Sequence, residues 1–292
     1  MDHSSTVMQR IMSYADFQQL PQPAPPAILA YGSDPLQHVE LWRPVGHGPF
    51  PVVVLIHGGC WQTAIAEAGI MRRLAAAFVH KGVAVWNVDY RGIDRPGGGY
   101  PGTFQDVAAA ADLLRDRGAS LALDPNRVVA VGHSAGGHLA FWLAGRPAIA
   151  EESMVWTDQP LALRGVVSLG GLLDLAEVRF AAAEACGVHT VDRLVGPATA
   201  ARPDPYSDTS PMSLAPLGVA QVLVSGDADT IAPPCLADQY AAKVRARGDN
   251  VQTLTIANQG HFELITPGRP AGDAAIAAAL RLLAIEQLED QS

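Results

Sequence analysis

The chain is 292 residues long, with 49% hydrophobic and 17% charged residues and a mean hydropathy of +0.13; this lies outside the composition of disordered chains and allows roughly three quarters of the unfolded surface to be buried. Its 20 Lys and Arg against 29 Asp and Glu leave a formal charge of −9 with no basic run, so a phosphate backbone would be repelled and nucleic acid is not an expected partner. Three cysteines, Cys60, Cys186 and Cys235, without C-x-x-C spacing, argue against a disulfide framework or a zinc site, and the expected setting is a reducing cytoplasm.

Residues 1–35 read as an N-terminal arm lying on the domain, rich in Pro and Gln, with Pro21, Pro23, Pro25 and Pro26 close together. Met1 to Pro26 holds no apolar signal-like region, and no later stretch reaches about 18 uninterrupted apolar residues, so neither export nor a membrane span is expected. Residues 36–292 read as a single domain in which strands and helices alternate. Short β-branched runs at Val52–Ile56, Val83–Val88, Val128–Val131, Val166–Leu169, Val222–Val224 and Val251–Ile256 predict strands, most of them buried on both faces. Helices are predicted over Glu67–Lys81, from Thr103 onward, from Ser134 to Ala144, over Pro234–Arg247 and over Gly272–Leu288. In the second of these, Phe104, Val107, Ala108, Ala111 and Leu114 put an apolar stripe on one face. The alternation implies an α/β fold with a mostly parallel sheet. Only residues 170–217 break the rhythm, with two short helices and then Pro203, Pro205, Pro211 and Pro216, which suits an excursion over the active-site edge.

Gly132-His133-Ser134-Ala135-Gly136 matches G-x-S-x-G between a strand and a helix, the context that exposes a nucleophilic serine on a strained turn. The plain alternative is a glycine-rich turn with an incidental serine. A lone serine is a poor nucleophile, and a base and an orienting acid follow it in the order Ser, Asp, His. Gly226-Asp227-Ala228-Asp229 follows one strand and Asn258-Gln259-Gly260-His261-Phe262 another, both on the strand-end edge that carries Ser134. Asp229 is preferred to Asp227 because the loop needs a few residues to swing a carboxylate toward His261, which alone would read as a solvated loop histidine. His57-Gly58-Gly59-Cys60-Trp61 directly follows the strand at Val52–Ile56, so the backbone N–H groups of Gly59 and Cys60, with that of Ala135, are the expected oxyanion donors; taken alone, the segment is a simple tight turn. Trp61 is expected to wall the substrate pocket rather than pack in the core.

Two other patterns carry no site. Gly97, Gly99 and Gly102 satisfy G-x-G-x-x-G, but they lie well past a strand end and are interrupted by Pro101, so a dinucleotide site is not expected. His133 and His138 are too poorly spaced on a helix for a metal pair.

The residues His57-Gly58-Gly59-Cys60-Trp61, Asp89-Tyr90-Arg91, Gly132 to Ala140 and Gly260-His261-Phe262-Glu263 resemble the α/β-hydrolase superfamily, in its esterase and arylformamidase branch related to kynurenine formamidases and hormone-sensitive-lipase-like esterases. The resemblance covers roughly Val39 to Leu283. It implies an eight-stranded sheet whose second strand is antiparallel, a Ser134–His261–Asp229 triad and no cofactor or metal. Cys60 departs from it, standing where lipase-like relatives have a third glycine and formamidases commonly a tyrosine. The short arm also departs from the sizeable helical cap of the lipase-like branch. The expected function is hydrolysis of small neutral carboxylic esters through an acyl-enzyme, with arylformamide hydrolysis as the alternative, and peptidase activity or non-catalytic ligand binding behind both. The expected partner is a small-molecule ester or amide; oligomeric state is not specified.

Overall fold

The computed structural model describes residues 10–181 and 183–284. Its strands are β1 (Ile28–Ala30), β2 (His38–Trp42), β3 (Phe50–Ile56), β4 (Ala84–Val88), β5 (Leu123–His133), β6 (Gly165–Leu169), β7 (Ala220–Gly226) and β8 (Val251–Ile256). They form one sheet in the order β1-β2-β4-β3-β5-β6-β7-β8. β2 runs antiparallel to β1 and β4, and the remaining pairs are parallel. Among the described residues the helices are α1 (Tyr14–Gln18), α2 (Arg72–His80), α3 (Gly102–Arg117), α4 (Ala135–Gly145), α5 (Leu175–Ala181), α6 (Ala183–Cys186), α7 (Thr190–Val195), α8 (Pro211–Leu214), α9 (Pro234–Arg245) and α10 (Pro270–Leu282). The mostly parallel α/β sheet is the one the strand–helix alternation predicts, and its eight strands with an antiparallel β2 are those the resemblance implies.

The continuous apolar run of β3 follows from helices on both sheet faces. Val52, Val54 and Ile56 pack with Phe104 of α3, Leu139 of α4 and Tyr240 of α9, while Val53 and Leu55 pack with Leu74 of α2 and Ala275 of α10. α4 is buried along its whole length, as expected of a helix without a polar face.

Three expectations are corrected. Ile28–Ala30, read as part of the arm, pairs with β2 as the edge strand, a contact that three residues make without showing a periodic pattern. The arm does not merely lie on the domain: Met12 and Phe17 are buried and belong to the core beneath the sheet. The excursion between β6 and β7 carries four short helices, α5 to α8, rather than two. The C-terminal helix begins at Pro270 and ends at Leu282, and residues 285–288 of the predicted helix lie outside the described residues. No helix among the described residues is long and apolar enough to cross a membrane.

His138 fastens α4 to two distant segments. Its Nδ1 accepts from the Trp61 indole N–H at 3.1 Å, and its Nε2–H donates to the Thr209 carbonyl at 2.8 Å. Burial pushes its pKa down to about 4, and a proton on Nδ1 would also collide with the indole donor. The native ring therefore stays neutral where the unfolded ring, with an ordinary pKa near 6.5, takes up a proton. The contribution to stability is full above about pH 6.5 and is lost as pH falls toward the folded value. Denaturant unfolding between pH 7 and pH 5 should show a loss on the order of 1 kcal/mol per pH unit from this residue, and His138→Gln should flatten that slope while lowering stability at pH 7.

Candidate active site

β5 runs into the turn at Ser134, whose φ of 53° and ψ of −121° lie in a sparsely populated region that costs of order 1–3 kcal/mol. The turn is held from both sides. Ser134 N–H donates to the Leu169 carbonyl at the end of β6, and the Ser134 carbonyl accepts from the N–H groups of Gly137 and His138. A Cβ at Gly132 would run into the Gly136 carbonyl, and one at Gly136 into the carbonyls of Ile56 and His57. The two motif glycines thus let strand, helix and the neighbouring strand end come together.

The ends of β7 and β8 bring in the candidate acid and base, Asp229 and His261. His261 Nδ1–H donates to Asp229 Oδ2 at 2.7 Å, and the other carboxylate oxygen accepts from the N–H groups of Ile231 and Ala232, each at 2.8 Å. With both oxygens occupied, the carboxylate fixes the imidazole tautomer that leaves Nε2 free to take a proton. Asp227 instead accepts from Asn258 N–H and stabilises the facing loop. Gly170, at a φ of +56°, presses against the pair: a Cβ there would sit 3.1 Å from Asp229 Oδ2 and 3.2 Å from His261 Nδ1.

After β3 the chain turns through Gly59, Cys60 and Trp61 at φ values of 99°, 54° and 54°. Left-handed conformations at two consecutive non-glycine residues need anchoring, and both side chains are anchored. Trp61 is fully buried and bonded to His138. This corrects the expectation that it walls the substrate pocket: Trp61 is not among the residues lining the cavity at Ser134, and His138 satisfies its indole N–H. Cys60 is joined to Cys186 of α6 across a sequence separation of 126, with Cα atoms 5.4 Å apart. This corrects the reading against a disulfide, because cysteine spacing carries no information about which segments the excursion brings back over the sheet edge. Among the described residues, the N–H groups of Gly59, Cys60 and Ala135 donate to no protein acceptor, the condition an oxyanion hole requires.

A cavity of about 180 Å³ joins these parts, lined by Gly59, Cys60, Ser134, His261 and His133, with Tyr14, Ile65, Ile70 and Phe262 forming an apolar wall. His133 Nε2–H donates to the His261 carbonyl at 3.0 Å, and complete burial keeps its pKa well below the ordinary histidine range. It orders the base loop as a neutral ring.

Sequence reasoning missed the support of the oxyanion turn. His57 Nε2 lies 3.0 Å from Asp89 Oδ1, the His57 ring stacks on Tyr90 at 4.3 Å, and Tyr90 O–H donates to the His57 carbonyl. The parallel register that sets Ile56 beside Val88 brings His57 beside Asp89, so the strand order would have revealed the pair.

Comparison with known proteins adds the family. Residues 41–244 match the family BD-FAE. Esterase LipC of Mycobacterium tuberculosis is 30% identical over 263 residues, covering 86% of this chain and 63% of LipC. Carboxylesterase NlhH of the same species is 34% identical over 103 residues, 35% of this chain and 31% of NlhH. The chain thus spans less than two thirds of either relative. Esterase B from Lactobacillus rhamnosis shares the fold, with a TM-score of 0.76 at 20% identity over 90% of this chain and 87% of that one.

The disulfide makes a prediction. Thiol titration of the unfolded, unreduced protein should count one thiol, from Cys235, and reduction should raise the count to three. Closing so long a loop is worth about 3–5 kcal/mol, so Cys186→Ala should lower Tm on the order of 10 °C in a protein of this size, as read by calorimetry under non-reducing conditions.

Proposed function

The chain belongs to the BD-FAE family of α/β-hydrolase esterases, and from that premise we propose that it is a serine hydrolase of small neutral carboxylic esters, working through an acyl-enzyme with Ser134, His261 and Asp229. The observation that carries the reading is a serine on a strained strand-to-helix turn, opening into the same cavity as a histidine whose Nδ1–H is bonded to a locked carboxylate.

In the forward step His261 Nε2 takes the Ser134 hydroxyl proton as Oγ bonds to the ester carbonyl carbon. The carbonyl oxygen gains the negative charge, which the N–H groups of Gly59, Cys60 and Ala135 stabilise. His261 then gives its proton to the departing alkoxide, leaving an acyl-serine and a free alcohol. Water repeats the sequence to release the acid. Asp229 keeps the imidazole in register and offsets its transient positive charge.

A cavity of about 180 Å³ is smaller than the 300–1,000 Å³ of pockets for drug-sized ligands, which supports substrates with short groups beside Ser134. The same machinery would serve an N-formyl aryl amide, and the substrate panel below separates the two. On compartment, the Cys60–Cys186 bond favours an oxidising setting over the reducing cytoplasm expected from the cysteine count.

Ser134→Ala should abolish ester turnover and labelling by a fluorophosphonate probe while leaving circular dichroism unchanged; a variant that still labels would overturn the nucleophile. Asp229→Asn should lower kcat by roughly 10²–10⁴-fold through the wrong imidazole tautomer, whereas Asp227→Asn should lose far less. In a panel of p-nitrophenyl esters and N-formyl aryl amides, acetate and butyrate should give the highest kcat/KM. Faster decanoate hydrolysis would contradict the short pocket, and a higher value for the formamide would move the assignment to arylformamidase.

A further inference from the structure

The arm reaches the reaction cavity, and Tyr14 stands at its end. Met12 N–H donates to Glu263 Oε1 at 2.5 Å, while Glu263 Oε2 accepts from Gly260 N–H beside the base. Phe17 is buried against Phe262, and the Tyr14 ring stacks on Phe262 with centroids 5.2 Å apart. Tyr14 O–H then reaches across to donate to the Ile65 carbonyl at 2.6 Å. The phenol therefore spans the gap between the loop carrying the base and the segment following the oxyanion turn. Tyr14 also lines a second, polar cleft of about 450 Å³, together with His38, Glu40, Glu67, Arg72 and Asp89. Tyr14, Ile65, Ala66 and Ile70 line both spaces, so they form the partition between them.

We propose that Tyr14 is a specificity-determining residue, the removable part of the wall that limits the length of the substrate group seated beside Ser134. The inference rests on the ester-hydrolase reading. Ile65, Ala66 and Ile70 belong to the segment that follows the oxyanion turn, but Tyr14 arrives from a separate segment, and its truncation joins the small apolar cavity to the larger cleft without touching the reacting atoms.

The test compares wild type, Tyr14→Ala, Tyr14→Phe and Tyr14→Trp on two series, p-nitrophenyl esters of lengthening acids and acetates of lengthening alcohols, with fluorophosphonate labelling measured in parallel. In the series whose variable group occupies the cavity, Tyr14→Ala should raise the long-to-short ratio of kcat/KM by about tenfold or more, the discrimination that one or two methylenes provide in an apolar pocket. Tyr14→Phe keeps the ring and should keep the wild-type ratio to within about threefold, since it loses only the hydrogen bond to Ile65. Tyr14→Trp adds bulk and should lower the butyryl-to-acetyl ratio in the acid series or the butyl-to-methyl ratio in the alcohol series. Ratios unchanged by both Ala and Trp in both series, in protein that still labels, would overturn the role of Tyr14. A wild type that neither labels nor turns over any ester would instead overturn the reading on which it rests. Should Tyr14→Ala not fold, the Trp variant decides alone.

Discussion

Two strand ends in this protein must approach more closely than side chains allow. The carbonyls of Ile56 and His57 at the end of β3 lie where a Cβ of residue 136 would be, and His133 and Ser134 crowd the position of a Cβ at residue 58. Glycine at both positions permits the contact, and the site is organised around it. The turn after β3 and the serine turn share one rigid contact, so the proposed donors and nucleophile keep a fixed relation without a mobile loop between them. Substitution at either glycine would separate parts that depend on a common backbone position.

Strain concentrates at the same contact. Cys60, Trp61 and Ser134 all have positive φ, where a residue with a side chain persists only if its surroundings over-determine it. Each has a different restraint: a covalent bond for Cys60, an indole–imidazole hydrogen bond for Trp61, and backbone bonds to β6 and α4 for Ser134. His138 links two of the three, since it belongs to the helix that begins at the serine turn and accepts from Trp61. A neutral buried histidine is therefore part of the support for the proposed oxyanion donors, although it does not line the cavity.

Most of the architecture was legible because it is written in local patterns. β-branched runs marked the inner strands, and G-x-S-x-G between strand and helix marked the turn. The preference for Asp229 over Asp227 rests on loop length and on the resemblance; in the structure Asp229 meets His261 and Asp227 meets a backbone N–H. What stayed hidden was non-local. Trp61 reads from sequence as a pocket residue, but its φ is positive, a property that sequence does not announce in a tryptophan. Cys186 could not be matched to Cys60 without knowing how the excursion returns. Tyr14 gave no signal in an arm that composition marked as peripheral, since its significance comes only from Phe262 and Ile65.

The disulfide also bears on how the chain is made. Cys60 precedes Cys186 by 126 residues, so at about 5–20 residues per second it waits roughly 6–25 s for its partner to be synthesised. Cys235 emerges later still. The native partner is thus the first available one, and order of appearance works against the two incorrect pairings. Late arrival and an exposed position leave Cys235 as the thiol most open to encounters with other molecules once the other two have joined.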